Sequence, residues 1–203
     1  MAFTVNPFAL TNAANSFAVD SEGFVQGDAL DDPVIHSLLR TGVLATTETL
    51  PMWGGVALYE SISASGQASI GNTLGRATAT TGGSTPLAGF SVFNQANAMV
   101  VTTSSDVPLA TVGGTISYYR LGSGARIPVQ CDPTLASLDG GAVSQQVSWD
   151  FTNQKLIAYN SGIGALPVKV ESVAVGNSKI VSYNSGTGNA TWLPTGATAV
   201  IVI

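Results

Sequence analysis

A Ser-His-Asp triad in this chain would have to use His36 as its base, because His36 is the sole histidine. It lies beside Val34, Ile35, Leu38 and Leu39, an apolar stripe at helical spacing, where a histidine more often caps the helix or faces solvent. Glycoside hydrolysis needs two carboxyl groups facing one another across a bond. Glu22, Glu48, Glu60, Glu171, Asp106, Asp132, Asp139 and Asp150 supply the residue type, but no local motif pairs them. Asp28, Asp31 and Asp32 cluster without the EF-hand spacing, and Asp32 before Pro33 reads as a helix cap. Gly122-Ser123-Gly124-Ala125-Arg126 has the look of a phosphate loop, yet GxxxxGK[ST] does not occur and no helix pattern follows; Gly162-Ile163-Gly164 fails the dinucleotide fingerprint in the same way. The single cysteine, Cys131, permits neither an intrachain disulfide nor a cysteine-rich zinc site. Asn189-Ala190-Thr191 matches a glycosylation sequon, a pattern common by chance. The expectation is therefore no catalytic residue, no cofactor and no metal.

The elements that would carry such residues read as strands. Val147-Ser148-Trp149-Asp150-Phe151 and Lys155-Leu156-Ile157-Ala158-Tyr159 alternate apolar with polar residues, and Thr152-Asn153-Gln154 joins them. Period-two alternation and a short connector containing Asn predict a hairpin. Thr115 to Leu121, Ala125 to Val129, Phe90 to Phe93, and Val56 to Ile62 are further strands, separated by glycine turns. The Gly54-Gly55 pair beside Trp53 predicts a bulge or a close backbone approach. Tyr159-Asn160-Ser161-Gly162-Ile163-Gly164 recurs as Tyr183-Asn184-Ser185-Gly186-Thr187-Gly188, one strand-and-turn unit used twice. Val200-Ile201-Val202-Ile203 would aggregate if exposed, so it is expected inside a sheet. Trp53, Trp149 and Trp192 are candidates for stacking on a sugar, but tryptophan in an alternating strand belongs more often to the core, which is the expectation here.

One helix is expected, at about 31–41, with Pro33 at its first position, Arg40 in its last turn and Gly42 as the stop. Before it, Phe3, Val5, Phe8, Phe17, Val19 and Phe24 are spaced through small polar residues without a period, as in an extended arm that lies on another chain. The predicted organisation is an N-terminal arm with the short helix over 1–50 and a body over 51–203. The predicted class is mainly β, an antiparallel sandwich or barrel of jelly-roll-like kind.

Composition limits the partners. The 203 residues are 45% hydrophobic but only 9% charged, against about 25% in an ordinary soluble domain. The surface must then be built from Ser, Thr, Asn, Gln, Gly and Ala, which repels a neighbouring chain weakly. The net charge is −5 and the seven Lys and Arg form no run, which disfavours nucleic acid and anionic membrane. Neither a signal peptide at Met1 to Phe8 nor an apolar run of about 18 residues is apparent, and with the lone thiol this points to synthesis in a reducing cytoplasm.

Thr4-Val5-Asn6-Pro7-Phe8-Ala9-Leu10, Pro51-Met52-Trp53-Gly54-Gly55-Val56-Ala57, and Val147 to Phe151 through Leu166-Pro167-Val168-Lys169-Val170 together resemble the structural cement, or head decoration, proteins of tailed bacteriophages. The resemblance implies a β-rich homotrimer on the outer capsid surface. Its partner would be the major capsid protein, its location the virion, and its role the bridging of neighbouring capsomers. Phe3, Val5, Pro7 and Phe8 would be the capsid contacts of the arm. A carbohydrate- or receptor-binding β module is the alternative, and a hydrolase acting through His36 or a carboxylate pair the third class.

Overall fold

The structure, a computed structural model, describes residues 24–30, 33–62, 71–93 and 105–203. It is mainly β with one short helix, as the sequence indicated. The arm residues Phe3, Val5, Pro7 and Phe8 lie outside the described residues.

Five strands close into a barrel: β1 (Arg40–Leu44), β2 (Ala57–Ser61), β3 (Thr73–Arg76), β4 (Gly89–Val92) and β5 (Thr115–Arg120), in the order β1-β3-β2-β4-β5. β1 and β3 run parallel, and the other pairs are antiparallel. Leu44, Leu58, Leu74, Ile116 and Tyr118 fill one face of these strands, together with Met52, Val56 and Ala110 from the connections. That cluster draws on no other sheet, so it is the barrel interior. The opposite face presents Ala57, Phe90, Val92 and Tyr119 to the rest of the chain. Alternation with period two is what lets one strand serve two cores.

The second layer is a three-stranded sheet of β6 (Arg126–Gln130), β9 (Lys169–Asn184) and β10 (Asn189–Val202), ordered β6-β10-β9. The apolar tail is the central strand of that sheet, with Ala199 and Ile201 fully buried. Between β6 and β9 come a 3-10 helix (Pro133–Leu138), capped by the Asp132 side chain, and the hairpin of β7 (Val147–Asp150) and β8 (Lys155–Ala158). The hairpin drives Trp149 into the large core, edge-on to Phe90 with ring centroids 5.1 Å apart.

The helix expectation needs correction. α1 (Pro33–His36) is a single turn, and Arg40 to Leu44, placed in the helix end and the arm by the sequence reading, is a barrel strand. One turn of stripe does not offset the cost of nucleating a longer helix, whereas β1 buries Val43 and Leu44 between β3 and β5. Gly42 is not a helix stop. A methyl there would sit 2.6 Å from the Asn72 carbonyl oxygen, so glycine is what lets β1 and β3 approach. The barrel consequently begins before residue 51.

The expected β7–β8 hairpin is present. In its turn Asp150 Oδ1 accepts from the backbone N–H of Thr152 at 2.9 Å and of Asn153 at 3.0 Å, and the left-handed residue is Gln154 (φ 53°). Gln154 tolerates that backbone because its buried side chain is held on every side. Its Nε2 donates to the Phe151 carbonyl at 2.7 Å, and its Oε1 accepts from Ala57 N at 3.2 Å and Trp149 Nε1 at 3.4 Å.

The expected close approach at Gly54-Gly55 is present, and the opposing backbone is that of Gly27. A methyl on Gly27 would lie 2.3 Å from the Gly54 carbonyl carbon. Gly27 has φ +77°; Gly82, in the open β3–β4 loop, has φ +76° with nothing near it. Gly82→Ala therefore reports the backbone cost alone, about 1 kcal/mol, and Gly27→Ala is expected to lose on the order of 3 kcal/mol or more in denaturant unfolding. Gln154→Ala leaves Trp149 Nε1 and Ala57 N without their acceptor. It is expected to cost about 2–3 kcal/mol and to change Trp149 fluorescence in the folded state.

Candidate functional site

Of the candidate acid–base carboxylates, Glu48, Glu60, Asp132 and Glu171 each face a cation, and Asp150 faces a turn. Glu48 binds Arg76 at 3.0 Å, Asp132 binds Lys155 at 2.8 Å, and Glu171 lies 3.6 Å from Arg126. Asp150 holds the hairpin turn through its carboxylate, and Asp139 ends the 3-10 helix through its backbone N–H, which donates to the Ala136 carbonyl. Glu22, Asp31 and Asp32 lie outside the described residues. His36 is exposed at the end of its single turn, and no group of three or more His, Cys, Asp or Glu among the described residues is arranged to hold a metal ion.

Glu60 and Arg120 form the most developed of these pairs. Leu58 and Glu60 share a face of β2, and Ile116, Tyr118 and Arg120 share a face of β5, so alternation puts the pair at a mouth of the barrel. Arg120 Nε donates to Glu60 Oε2 at 2.7 Å, a second guanidinium N–H reaches Oε1, and Asn72 Nδ2 donates to Oε1 as well. The guanidinium hydrogen bonds outweigh burial and hold the Glu60 carboxyl at about 2. Burial and the adjacent Glu60 push the Tyr118 phenol up to about 12. Asp132 is likewise held at about 2, chiefly by Lys155. Burial works against the Asp150 anion, but the hydrogen bonds from Asn153 and Thr152 prevail and its pKa falls. A general acid at neutral pH needs the opposite tuning, a carboxyl raised by an apolar site. Cys131 is buried and its thiol is pushed up to about 12, so it is not a thiolate nucleophile.

The chemistry of these groups is cohesive. Arg76 is the example: its Nη atoms donate to the Leu50 and Pro51 carbonyls at 3.2 and 2.7 Å, and its guanidinium carbon lies 5.2 Å from the Trp53 ring centroid. Together with Glu48 this fastens the β1–β2 connection to β3. Every buried side-chain nitrogen and oxygen among the described residues has a hydrogen-bond partner.

The site that ties the arm to the body is the strap 24–30. Lys179 N donates to the Phe24 carbonyl and Gln26 N to the Lys179 carbonyl, both at 2.9 Å, a parallel bridge onto β9. Gly27 N donates to the Pro128 carbonyl at 2.7 Å, Leu30 N to the Arg126 carbonyl at 2.9 Å, and Phe93 N to the Gly27 carbonyl at 3.0 Å. The strap thus touches β9, β6 and the barrel at once. Gln26 is 1% exposed; its Nε2 donates to the Gly54 carbonyl at 3.2 Å and its Oε1 accepts from Val181 N at 2.9 Å. Sequence reasoning missed Gln26, and nothing in Phe24-Val25-Gln26-Gly27 marks it. Its partner Val181 is 155 residues away.

Beside Gln26 the barrel and the far half of the β9–β10 hairpin meet in a partly buried aromatic seam. Trp53 stacks on Tyr183 at 5.5 Å and Phe93 meets Trp192 at 5.4 Å. Trp149 is wholly buried, whereas Trp53 and Trp192 are partly buried and packed against a small apolar cluster, so the core expectation holds best for Trp149. The repeated turns are the same structure twice. Asn160 Oδ1 accepts from Gly162 N and Asn184 Oδ1 from Gly186 N, each at 2.9 Å. The left-handed residue is the last glycine, Gly164 or Gly188, rather than the one after serine.

Glu60→Gln separates the barrel-mouth pair from the other anions. The folded pKa of Glu60 lies below its unfolded value, so its contribution is present above about 4.5 and disappears as pH falls toward about 2. The variant is expected to be less stable by about 2 kcal/mol at pH 7, the figure being reduced for solvent screening, and to converge with the parent near pH 2 in thermal melts.

Comparison with protein-family models, with curated proteins and with solved structures returned no match.

Proposed function

We propose that this chain is a bacteriophage capsid decoration protein that binds the outer surface of the head and bridges neighbouring capsomers. The observation that carries the reading is the strap. A chain segment that must transmit load from a capsid-bound arm to a folded body needs a rigid attachment. Residues 24–30 supply one by hydrogen-bonding to the barrel and both outer strands of the sheet.

Other features support it. The protein is 9% charged, and Arg76, Arg120, Arg126 and Lys155, four of its seven Lys and Arg, are already paired with carboxylates of the same chain. Few charges are left to recognise a polyanion, and contact with a partner would be made by neutral polar and apolar groups. Phe3, Val5, Pro7 and Phe8 supply the anchors in this reading, and a homotrimer of such bodies would place three arms around a capsid threefold axis. A ligand that binds only the assembled shell stabilises it by mass action, RT ln(1 + [L]/Kd), and no catalytic step is required. The resemblance in the first ten residues, at 51–57 and at 147–170 points the same way. The carbohydrate-binding alternative would use open aromatic faces, whereas Trp53 and Trp192 are half-buried and each packs against another aromatic ring, Tyr183 and Phe93.

Deletion of residues 1–10 is expected to leave the melting temperature of the isolated protein unchanged and to abolish its co-sedimentation with purified heads. Binding by the intact protein is expected to vary less than about threefold between 50 mM and 500 mM salt, since exposed charges do not drive it. Undiminished sedimentation of the truncated protein would remove the arm from the mechanism.

A further inference from the structure

Asp139-Gly140 is the one place in the chain where an Asp or Asn precedes glycine. That dipeptide carries a reaction of its own. The glycine nitrogen can attack the aspartyl Cγ, because no Cβ on the following residue crowds the approach. An N–Cγ bond forms, Cγ loses its hydroxyl, and hydroxyl and amide proton leave as water. The product is a five-membered succinimide, and water then opens it at either carbonyl. Opening at Cγ restores aspartate. Opening at the backbone carbonyl carbon leaves the chain running through Cγ, an isoaspartate with one more methylene in the main chain. One water is lost and one regained, and nothing is oxidised or reduced.

The fold gives this dipeptide room and commits its competitors elsewhere. Asp139 follows the 3-10 helix at φ −60° and ψ 130°, held through its backbone N–H to the Ala136 carbonyl at 3.0 Å. Residues 139–144 are all exposed, and nothing lies within 4 Å of where a Cβ on Gly140 (φ +73°) would stand. The extended ψ keeps the Gly140 nitrogen away from Cγ, so ring closure requires that torsion to turn, a local opening that an exposed glycine turn permits. Asp132 precedes Pro133, whose nitrogen carries no proton to lose. Asp150 Oδ1 is held by the N–H groups of Thr152 and Asn153, and Asp106 precedes the wholly buried Val107. Asn160 and Asn184 each precede serine, and each Oδ1 accepts from the N–H two residues on, that of Gly162 or Gly186.

We propose that Asp139 is a site of spontaneous succinimide formation and isoaspartate conversion, with water as the only co-reactant, and that the conversion remodels the cleft beside it. That cleft, of about 170 Å³, lies between residues 138–142 with Gln145 and residues 170–173 of β9. Gly141 N donates to the Leu138 carbonyl at 2.9 Å, a turn that spans the Asp139-Gly140 bond. One inserted methylene lengthens that turn by a carbon–carbon bond, about 1.5 Å. The Gly141 backbone has little space to absorb it on one side, since a methyl there would stand 2.3 Å from Gln145 Nε2. Copies that persist without turnover accumulate the change, so the loop records the age of the molecule. The inference rests on the dipeptide and its turn, and holds whether or not the protein decorates capsids.

The test uses the full-length chain, incubated in mildly acidic buffer made with water enriched in oxygen-18. Each passage through the ring leaves one heavy oxygen at Asp139, whichever carbonyl is opened. Digestion and mass spectrometry are expected to find label at Asp139 at least about tenfold sooner than at Asp28, Asp106 or Asp150, with a second peptide of equal mass carrying isoaspartate. Asp139→Glu, which would have to close a six-membered ring, is expected to take up none at that position. In the isolated isomer the Gly141 amide is expected to exchange its hydrogen faster than in the parent. No label at Asp139, or label no sooner there than at the other aspartates, would overturn the site. An isomer whose Gly141 amide exchanges as in the parent would overturn the effect on the cleft.

Discussion

Two backbones approach within the space of a missing methyl group where Gly27 passes Gly54, and the strap can touch the barrel and the three-stranded sheet at once only because of that approach. The barrel strands serve two hydrophobic clusters: one face fills the barrel interior, and the other packs Ala57, Phe90, Val92 and Tyr119 into the large core with residues of the sheet and the β7–β8 hairpin. A seven-residue strap adds a second tie, hydrogen-bonding to β6 and β9 on one side while touching the barrel on the other. Side chains at the crossing would hold the layers apart. Glycine at 27, 54 and 55 lets main chain rest on main chain, and the Gln26 side chain then reaches both sheets. The same contact positions Trp53 to stack on Tyr183, so the aromatic seam follows from the glycines.

Buried polar groups in this protein sit where elements of different layers must keep one register. Ser91 is fully buried and joins Val56 N at 2.9 Å to the Trp53 carbonyl at 2.7 Å, fixing the β1–β2 connection to β4. Ser148 accepts from Asn160 N at 2.9 Å and donates to the Gly164 carbonyl at 2.7 Å, fixing the turn after β8 to β7. Ser178 accepts from Thr198 and from Phe24 N, joining β10 to the strap. An apolar residue at any of these positions would bury as well but would leave a backbone group unpaired, at about 1–3 kcal/mol each. A chain with 9% charged residues uses hydroxyls and amides for this, and places its ion pairs at the margins.

How much of this could be read in advance depended on the range of the interaction. The β7–β8 hairpin, β5 and β10 were legible because period-two alternation is local and strong at Val147 to Asp150, at Thr115 to Arg120 and in the apolar tail. β1 was not, because Arg-Thr-Gly-Val-Leu alternates too little and follows a proline and an apolar stripe that look helical. β9 runs unbroken from Lys169 to Asn184 although Gly176, Asn177 and Ser178 have the composition of a turn. They form a bulge that its long partner strand carries across. The close approach at Gly54-Gly55 was visible as a requirement, but the chain that approaches was not. Gln26 and Gln154 were invisible, because a glutamine that ties layers together has the composition of a surface residue until its distant partners are known. The arm anchors fall outside the described residues, so the structure speaks to their attachment rather than to their contacts.

Among the described residues polar ties are dispersed rather than gathered in one place, and the decoration reading proposed above gives that a physical explanation. An enzyme gathers its unusual groups in one place and lets neighbouring packing bear the strain. A protein that works by holding others gains from a body that does not yield when its arm is pulled, so its polar groups are best spread across the joints between layers. The strap, Gln26, Gln154 and the three serines are distributed in that way, with every buried polar atom among the described residues satisfied. Tension on the arm would pass from Phe24 into β9 along a parallel bridge and from Gly27 and Leu30 into β6. Strand-parallel loading of several hydrogen bonds resists rupture better than peeling them one at a time, and both outer strands of the three-stranded sheet are engaged before the core is reached.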